Sequence, residues 1–426
     1  MGMTITEKIL AAHAGRAVVE PGEFVIARAD IVMGNDGSTA GALPVWRQIG
    51  AAHVFDPERV AIVFDHFVPN KDIQAANLLH GVREWVRQQG IRHFFDEGRN
   101  GIAHTILPEQ GLVVPGDLMV GGDSHSCTNG ALGAFATGVG STDLASVLAL
   151  GEVWLKVPAS QRFVYRGVPG PWVMGKDLIL ATIGRIGLDG ALYQAMEFTG
   201  ETMARLSVSE RLTMCNMAIE AGAKSGIVAP DDLTLAYVRG RGKRPWTCYA
   251  SDPDARYAAE HEFDVAALRP QVARPFSPDN VVPVDEVVGT PLDQVFLGSC
   301  TNGKLEDLRI AAEVLRGHTV HRETRLIVIP ASQWIYTQAL KEGLLEVFAD
   351  AGAAISTPTC GACFGGHTGV LGAGEVCLST TNRNFVGRMG HPTARVYLAN
   401  PAVAAASAVK GAIATPEEVV DARAAP

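Results

Sequence analysis

The sequence predicts an α/β protein with mainly parallel sheets, divided into more than one domain. Short apolar runs rich in β-branched residues alternate with longer helical patterns along most of the chain. At 426 residues the chain is too long for one compact core, and 47% of its residues are hydrophobic, so several cores can form. Four prolines recur between residues 269 and 285, which is typical of a linker.

The individual elements follow from these patterns. Apolar runs predict strands at residues 60–64, 118–121, 294–297, 326–329, 353–356 and 396–398. Helical periodicity predicts helices that begin at Thr4 and that cover residues 305–315, 335–348 and the Ala-rich stretch 401–414.

Changes in composition predict the domain boundaries. A region of small residues gives way to an apolar run near residues 157–165, and the proline-rich linker follows about a hundred residues later. We therefore predict three domains, at residues 1–160, 161–285 and 286–426.

Bulk charge and hydropathy argue against two classes of partner. The net charge is −9 with a pI near 5.8, whereas nucleic-acid binding needs clustered cations, and the one basic run, residues 239–244, is typical of a solvated loop. No uninterrupted apolar stretch is long enough to span a membrane, and the N-terminus lacks the regions of a signal peptide. We expect a cytoplasmic protein that binds neither membrane nor nucleic acid.

Polar clusters follow the predicted strands where these end. Asp65-His66 follows the strand at 60–64, Asp123-Ser124-His125 follows 118–121, and Cys300 and Cys360 follow later strands. In open α/β sheets ligands bind beyond the carboxyl ends of the strands, so this placement favours one shared site.

Three of the seven cysteines form a pattern with chemical meaning. Cys360 and Cys363 form a Cys-x-x-Cys loop, and Cys300 lies in a Gly-Ser-Cys-Thr-Asn-Gly turn. A zinc site would need a fourth ligand, a redox dithiol would leave Cys300 idle, and a cubane cluster held by three cysteines would keep one iron open. The spacing alone leaves these alternatives open. The remaining cysteines are predicted to be packed free thiols: Cys127, Cys215, Cys248 and Cys377.

Four sequence blocks together resemble the aconitase family. They are Gly-Asp-Ser-His-Ser-Cys-Thr-Asn-Gly-Ala-Leu-Gly (122–133), Gly-Ser-Cys-Thr-Asn-Gly (298–303), Cys-Gly-Ala-Cys (360–363) and Asn-Arg-Asn-Phe-Val-Gly-Arg (382–388). Their order and spacing agree with the family, and the likeness extends to about residue 414. It is strongest to the compact, archaeal-type branch of 3-isopropylmalate dehydratase large subunits.

The resemblance implies a fold and a partner. It implies three α/β/α domains around a central cluster cleft, with the cluster cysteines on the third domain. In this branch the fourth, swivelling domain of aconitases is a separate small subunit that carries the base serine and another arginine. Because the chain ends soon after the 401–414 helix, we expect such a small subunit as partner.

The resemblance also implies the cofactor. Cys300, Cys360 and Cys363 would hold a [4Fe-4S] cluster with one open iron, which polarises the substrate's hydroxyl group. Asn302 and Asn382 would orient the cluster and its environment.

Acid–base roles are implied for histidines that each have a carboxylate nearby. His66, next to Asp65, would protonate the departing hydroxyl, although a buried structural histidine is the alternative for this position. His104 would pair with Asp123, and a further pair would join His125 to Glu220. These carboxylates would raise the histidine pKa values and fix the ring tautomers.

Substrate binding is implied for two arginines and two polar residues. Arg383 and Arg388 would bind the carboxylates of a small di- or tricarboxylate, whereas surface ion pairing is the usual role of an arginine. Ser124 and Asn216 would join them, and Asn216 lies four residues before Glu220, so both are expected on one helical face. The loop at residues 37–41 departs from the branch pattern and is expected to face substrate.

We therefore expect dehydration and rehydration that interconvert 2- and 3-isopropylmalate in leucine biosynthesis. The alternatives on the same chemistry are homoaconitate, 2,3-dimethylmalate, maleate and citraconate. An RNA-binding apo-protein is disfavoured by the acidic charge, and an electron-transfer protein by the paired histidines.

Overall fold

The computed structural model describes residues 2–420, which divide into two compact units. Unit 1 comprises the residues up to Gly167 together with residues 189–264, and unit 2 comprises residues 168–188 together with those from Val265 onward. Met1 and residues 421–426, where the first predicted domain begins and the third ends, lie outside the described residues. The three larger sheets lie within residues 31–138, 160–264 and 271–398, and the division into three domains stays a prediction.

The described residues form strands, α-helices and 3₁₀ helices in alternation. The strands are β1 (Phe24–Arg28), β2 (Ile31–Asn35), β3 (Val60–Val63), β4 (His93–Phe95), β5 (Leu118–Gly121), β6 (Phe135–Gly138), β7 (Glu152–Lys156), β8 (Ser160–Arg166), β9 (Ala195–Thr199), β10 (Ser225–Ile227), β11 (Ala259–Asp264), β12 (Gln271–Ala273), β13 (Val281–Pro283), β14 (Gln294–Leu297), β15 (Arg325–Val328), β16 (Ala354–Ile355), β17 (Val376–Ser379) and β18 (Arg395–Leu398). The α-helices are α1 (Ile5–His13), α2 (Asp36–Ile49), α3 (Ile73–Gln89), α4 (Ala103–Glu109), α5 (Ser141–Leu150), α6 (Gly175–Ile186), α7 (Val208–Asn216), α8 (Asp232–Arg239), α9 (Ser299–Asn302), α10 (Leu305–Leu315), α11 (Gln333–Lys341), α12 (Leu344–Asp350), α13 (Pro401–Lys410) and α14 (Glu417–Val420). The 3₁₀ helices are Ser124–Leu132, Met217–Ala221, Val284–Glu286 and Gly361–Phe364.

Unit 1 is built on a five-stranded parallel sheet in the order β4-β3-β2-β5-β6. Its strand β3 is wholly apolar because both faces are buried: Val60 and Ile62 belong to one core cluster, and Ala61 and Val63 belong to another. Because β3, β2 and β5 are adjacent and parallel, their carboxyl ends lie side by side at one edge of this sheet.

Two further sheets complete unit 1. Strands β1 and β7 pair antiparallel, and a four-stranded parallel sheet has the order β10-β9-β8-β11. Buried aromatic rings, among them Phe163 and Phe198, pack on the four-stranded sheet.

Unit 2 is built on a seven-stranded sheet in the order β13-β12-β18-β17-β14-β15-β16. Strand β12 runs antiparallel to both its neighbours, and the other pairs are parallel. The carboxyl ends of β17, β14 and β16 therefore share one edge, which is where the segments bearing Asn382, Cys300 and Cys360 begin. The α/β prediction is confirmed in both units.

Several predicted elements agree with the structure and others are wrong. The strands at 118–121 and 294–297 and the helix at 305–315 have the predicted bounds, and Thr4 caps α1 through a capping box with Glu7. The predicted helix at 335–348 is instead two helices, because Gly343 lies between them with a φ of 72°. The helix at 401–414 ends earlier, at Lys410, where Gly411 caps it with a φ of 73°.

The predicted loop at 37–41 is also wrong. These residues lie in the first turns of α2, which Asn35 caps by accepting a hydrogen bond from the Ser38 amide. Leu43 and Trp46 on α2 are buried in the unit 1 core, so packing outweighs the weak helix propensity of Gly37 and Gly41.

Within residues 2–420, no helix combines the length and apolar character needed to cross a membrane.

Candidate active site

Unit 1 gathers histidines and carboxylates at the carboxyl edge of its five-stranded sheet. We call them the histidine–carboxylate group: Asp36, Asp65, His66, His104, Asp123, His125 and Glu220. Asp36 follows β2, Asp65-His66 follow β3, and Asp123 follows β5, so the order of the strands brings these segments together. The predicted residues of this group are thus close in space, and Asp36 is an addition.

His66 is held by two buried aspartates. Its Nδ1 lies 2.6 Å from Oδ1 of Asp65 and 3.4 Å from Oδ1 of Asp36. Asp36 also accepts the backbone amides of His66 and Phe67, at 3.0 and 2.8 Å. Asp65 in turn accepts the amide of Ala103 at the start of α4, at 2.8 Å. These contacts fix the position of the imidazole ring.

The charge of the two aspartates changes the acidity of His66. Burial lowers the pKa of His66, but the Asp65 and Asp36 carboxylates outweigh burial and hold the pKa well above its ordinary value. This shift favours the protonated ring that a general acid requires.

Asp123 connects two histidines. Its Oδ1 lies 2.9 Å from Nε2 of His104 and accepts the backbone amide of His125 at 2.8 Å, while its Oδ2 accepts from Asn35 at 3.3 Å. Burial raises the pKa of Asp123, but His104 and His125 outweigh it and hold the pKa well below the ordinary value. The predicted contact between His104 and Asp123 is present.

His125 makes its predicted contact with Glu220. Its Nε2 lies 2.8 Å from Oε1 of Glu220, and both side chains are buried. Glu220 lies in the 3₁₀ helix that follows α7, so the expectation that Asn216 and Glu220 share one α-helical face is wrong. Ser124 Oγ lies 3.5 Å from Nδ1 of His125.

Asn216 is buried in the interior of unit 1 and is linked to His125 through Thr128. Its Nδ2 donates to Oγ1 of Thr128 at 2.7 Å, and this hydroxyl donates to the carbonyl of His125 at 2.6 Å. The chain of hydrogen bonds ties α7 to the backbone of His125. Its predicted contact with substrate stays a prediction.

Unit 2 brings the predicted cluster cysteines into one buried region. Cys300, Cys360 and Cys363 are 7%, 8% and 6% exposed. Ser299 Oγ lies 3.7 Å from the sulfurs of both Cys300 and Cys363. Asn382 also reaches both sulfurs, at 3.4 Å from its Nδ2 to Cys300 and 3.7 Å from its Oδ1 to Cys363. Cysteines from two distant stretches thus converge on the same polar side chains.

The backbone around these cysteines is unusual. Ser299 has a φ of 78°, which residues other than glycine rarely adopt. Such strained backbone is concentrated at functional sites. Cys360 and Cys363 flank one tight turn, in which the Cys363 amide donates to the Cys360 carbonyl at 3.1 Å and Gly361 has a φ of 58°. The turn places residues three apart on one side, as two ligands of one centre require.

The donor set fits an iron–sulfur cluster. Soft thiolate ligands select such clusters, and this region contains three cysteines from two stretches of the chain. A redox dithiol would use only Cys360 and Cys363, whereas a cluster also uses Cys300. Oδ1 of Asn302 is buried and has no hydrogen-bond partner within residues 2–420, while its Nδ2 donates to Asp307 at 2.9 Å. The described residues thus leave this acceptor unsatisfied.

The two predicted substrate-binding arginines follow Asn382 in unit 2. Nε of Arg388 is buried and makes no hydrogen bond within the described part of the chain. It is therefore a donor that is available to an anion. The role of Arg383 and Arg388 in carboxylate binding stays a prediction.

Sequence reasoning missed some residues of both units. Asp36 could have been found, because Asn35-Asp36 follows an apolar run as the other polar pairs do. Ser299 and Lys176, a fully buried lysine of α6, gave no local pattern, because backbone strain and tertiary contacts identify them. Among the other cysteines, Cys127, Cys215 and Cys377 are buried as predicted, whereas Cys248 is exposed and that prediction was wrong.

The sequence model of the aconitase family (aconitate hydratase) matches residues 7–291 and 285–411. The 3-isopropylmalate dehydratase large subunit of Aquifex aeolicus (strain VF5) is 60% identical over 427 residues, which cover 99% of this chain and 99% of that protein. The protein of the same name from Moorella thermoacetica (strain ATCC 39073 / JCM 9320) is also 60% identical and covers 99% of this chain and 100% of its own.

Two further comparisons extend this result. A 3-isopropylmalate dehydratase large subunit 1 from Pyrococcus furiosus (strain ATCC 43587 / DSM 3638 / JCM 8422 / Vc1) is 59% identical and covers 98% of this chain and 99% of its own. The solved structure of Thermococcus kodakaraensis aconitase X in its holo-form is similar in fold, with a TM-score of 0.50 at 13% identity. That match covers 89% of this chain and 88% of the other.

Proposed function

The chain belongs to the aconitase family, and we propose from this membership that it is the large subunit of a 3-isopropylmalate dehydratase. The observation that carries the assignment is the identity of about 60% along essentially the whole chain to relatives of that name. The enzyme is an iron–sulfur hydro-lyase that interconverts 2- and 3-isopropylmalate in leucine biosynthesis by dehydration and rehydration.

Cys300, Cys360 and Cys363 are the proposed ligands of a [4Fe-4S] cluster that keeps one iron without a protein ligand. When bound, such a cluster supplies a Lewis acid for the oxygen atoms of a hydroxy acid. The contacts of Ser299 and Asn382 to two of the sulfurs support this ligand set. Asn382 orients the sulfurs through its contacts with Cys300 and Cys363, and Asn302 is assigned to the environment of the cluster.

His66 is the proposed donor of the proton that leaves with the hydroxyl group. The Asp65 and Asp36 carboxylates raise its pKa and so favour its protonated form, and its ring is fixed by the contact with Asp65. His104 has its Nε2 on Asp123, and its buried Nδ1 has no hydrogen-bond partner within residues 2–420. That nitrogen is available to substrate or to a water molecule.

Arg383 and Arg388 are the proposed anchors of the substrate carboxylates. A chain of net charge −9 needs local cations to bind a dianion, and the unpartnered Nε of Arg388 supports this role. The guanidinium groups also stabilise the carboxylate next to the carbon that loses its proton, because negative charge develops there.

The names of the relatives describe them as large subunits, which implies a small-subunit partner. We assign to that partner the swivelling domain, the serine that acts as base on the carbon-bound proton, and a further arginine. The isolated chain with its cluster rebuilt should then be about 10²–10⁴-fold slower than the complete enzyme, which is the usual contribution of general base catalysis. Full activity of the isolated chain would contradict this assignment.

The direct test is anaerobic co-production with a small subunit from the same organism, followed by hydration assays. The substrates are isopropylmaleate, maleate, citraconate and homoaconitate. We expect the highest kcat/KM for isopropylmaleate. If kcat/KM is higher for one of the other three compounds, the reaction class stands and that compound is the substrate.

A further inference from the structure

Lys176 is a charged residue in the interior of unit 2. It lies in the first turn of α6 and is 0% exposed. Its Nζ donates to the backbone carbonyls of Thr380, at 3.1 Å, and Thr381. These two residues immediately precede Asn382, which contacts the sulfurs of Cys300 and Cys363.

No carboxylate within residues 2–420 lies at ion-pair distance from Lys176. The neighbouring Asp177 is occupied by other donors, since it accepts the amides of Met174 and Gln271, both at 2.7 Å, and Nδ2 of Asn400 at 2.9 Å. Lys304, a second buried lysine of this region, has the carboxylate of Asp307 at 3.4 Å. Lys176 is thus a buried lysine whose ammonium group has no carboxylate in direct contact among residues 2–420.

Such an arrangement is unfavourable unless an anion is nearby. Taking an ammonium group out of water costs much more free energy than two backbone carbonyls return. Its place in the first turn of α6 adds to the cost, because the positive end of the helix dipole repels a cation. The described protein groups therefore compensate the protonated form of Lys176 only in part.

The groups that can compensate it are the cluster cysteines. Burial lowers the pKa of Lys176 to about 7, and the nearby Lys304 cation adds to this effect. Cys300, Cys363 and, to a smaller extent, Asp177 act in the opposite direction. A cluster held by thiolates adds negative charge at the same place, so a fixed cation there stabilises the bound state more than the empty one.

We propose that Lys176 is a positioning residue for the iron–sulfur cluster. Its ammonium group compensates the charge of the cluster and its thiolates, and its two hydrogen bonds hold the 380–382 segment so that Asn382 reaches both sulfurs. This inference rests on the proposed function, because it requires a cluster on these cysteines. Lys176 touches neither substrate nor the reacting atoms, since it has no exposed surface.

The test uses the full chain after anaerobic cluster reconstitution and compares Lys176→Met and Lys176→Gln with wild type. Methionine keeps the length of the side chain without charge, and glutamine keeps a hydrogen-bond donor without charge. The matched control is Lys224→Met, which removes a half-buried lysine of unit 1 whose Nζ donates to the Gly138 carbonyl at 3.4 Å. The readouts are the rate of cluster loss to a chelator, the reduction potential of the cluster, and thermal unfolding of the apo and loaded forms.

We expect both Lys176 variants to lose the cluster about 10–100-fold faster than wild type, as when other groups that support metal ligands are removed. Their reduction potentials should be more negative, because an electron is added less readily once a nearby cation is gone. The variants should lower the unfolding temperature of the loaded form more than that of the apo form. The Lys224 control should match wild type in cluster loss and potential.

The proposal is overturned by either of two results. One is wild-type cluster retention and potential in both Lys176 variants. The other is an apo form that is destabilised as much as the loaded form, or already unfolded, because the lysine would then support the fold alone. Failure of the proposed function is distinct, since wild type itself would then bind no cluster or show no hydratase activity with the small subunit.

Discussion

Replacing Asp123 by asparagine tests the histidine–carboxylate group most sharply. The carboxylate accepts from His104 at 2.9 Å, from the His125 amide at 2.8 Å and from Asn35 at 3.3 Å. An asparagine side chain keeps one acceptor oxygen, which can still cap the helix that begins at Ser124. It loses the negative charge and its charge-assisted contact with His104.

The magnitude follows from these contacts. Losing one charge-assisted hydrogen bond of a buried group costs about 1.5–3 kcal/mol of unfolding free energy at neutral pH. Turnover should fall by about 10²–10⁴-fold, because a carboxylate that fixes the tautomer of a catalytic imidazole has effects of that size. The exposed Asp143 in the first turn of α5 is a matched control, and Asp143→Asn should leave turnover unchanged.

The pH dependence of the stability difference has a definite sign. The pKa of Asp123 is held well below its ordinary value in the folded state. Its contribution is therefore complete above the unfolded-state pKa of about 3.9 and is lost as the pH falls through the folded-state pKa. The difference in urea midpoint between wild type and Asp123→Asn should be constant between about pH 7 and 5 and should shrink below about pH 4.

Steady-state kinetics of the complete enzyme and urea titrations over this pH range measure both effects. If turnover of the variant stays within about two-fold of wild type, Asp123 and His104 have no catalytic role, since the expected loss of turnover is far larger. A stability difference that stays the same through acid pH would show that the carboxylate is not the group responsible.

Three further predictions concern other parts of the two units. Arg388→Lys should raise KM about 10–100-fold with a smaller change in kcat, because a point charge replaces a fork that matches a carboxylate; an unchanged KM would exclude the contact. Ser299→Gly should stabilise the apo form by about 1 kcal/mol in thermal unfolding, because glycine relieves the positive φ. The same variant should lose its cluster to a chelator faster, because the hydroxyl near both sulfurs is removed. Arg211→Met should lower the free energy of unfolding by about 2–3 kcal/mol. This is less than is usual for a broken buried ion pair, because Asp231, whose pKa the pair helps to lower to about 2, is 38% exposed and stays hydrated. A loss below about 0.5 kcal/mol in a thermal unfolding experiment would contradict this.

The fold was predictable where local patterns and packing agree. Strands β5 and β14 are short, mainly apolar runs that are buried along their whole length, and their bounds could be predicted to the residue. The break at Gly343 could not, because the apolar periodicity continues across it and the left-handed conformation is visible only in the structure. The start of α2 was missed because Asn35 capping and core packing outweigh the glycines that follow.

The candidate site was predictable as far as its motifs extend. The contacts of His104 with Asp123 and of His125 with Glu220 agree with the resemblance, and so does the approach of Cys300 to Cys363 through Ser299 and Asn382. Lys176 lies in a helix whose sequence shows no link to the cysteines, and only tertiary structure reveals its hydrogen bonds to the 380–382 segment. Residues that act through charge at a distance leave no spacing pattern.

Cysteine alkylation with and without a reconstituted cluster, located by mass spectrometry, tests the central claim most directly. We predict that loading iron and sulfide protects Cys300, Cys360 and Cys363 together, while the exposed Cys248 is labelled equally in both states. Labelling of Cys300 at the same rate in both states, with the other two protected, would contradict the convergence of these three thiolates on one cluster.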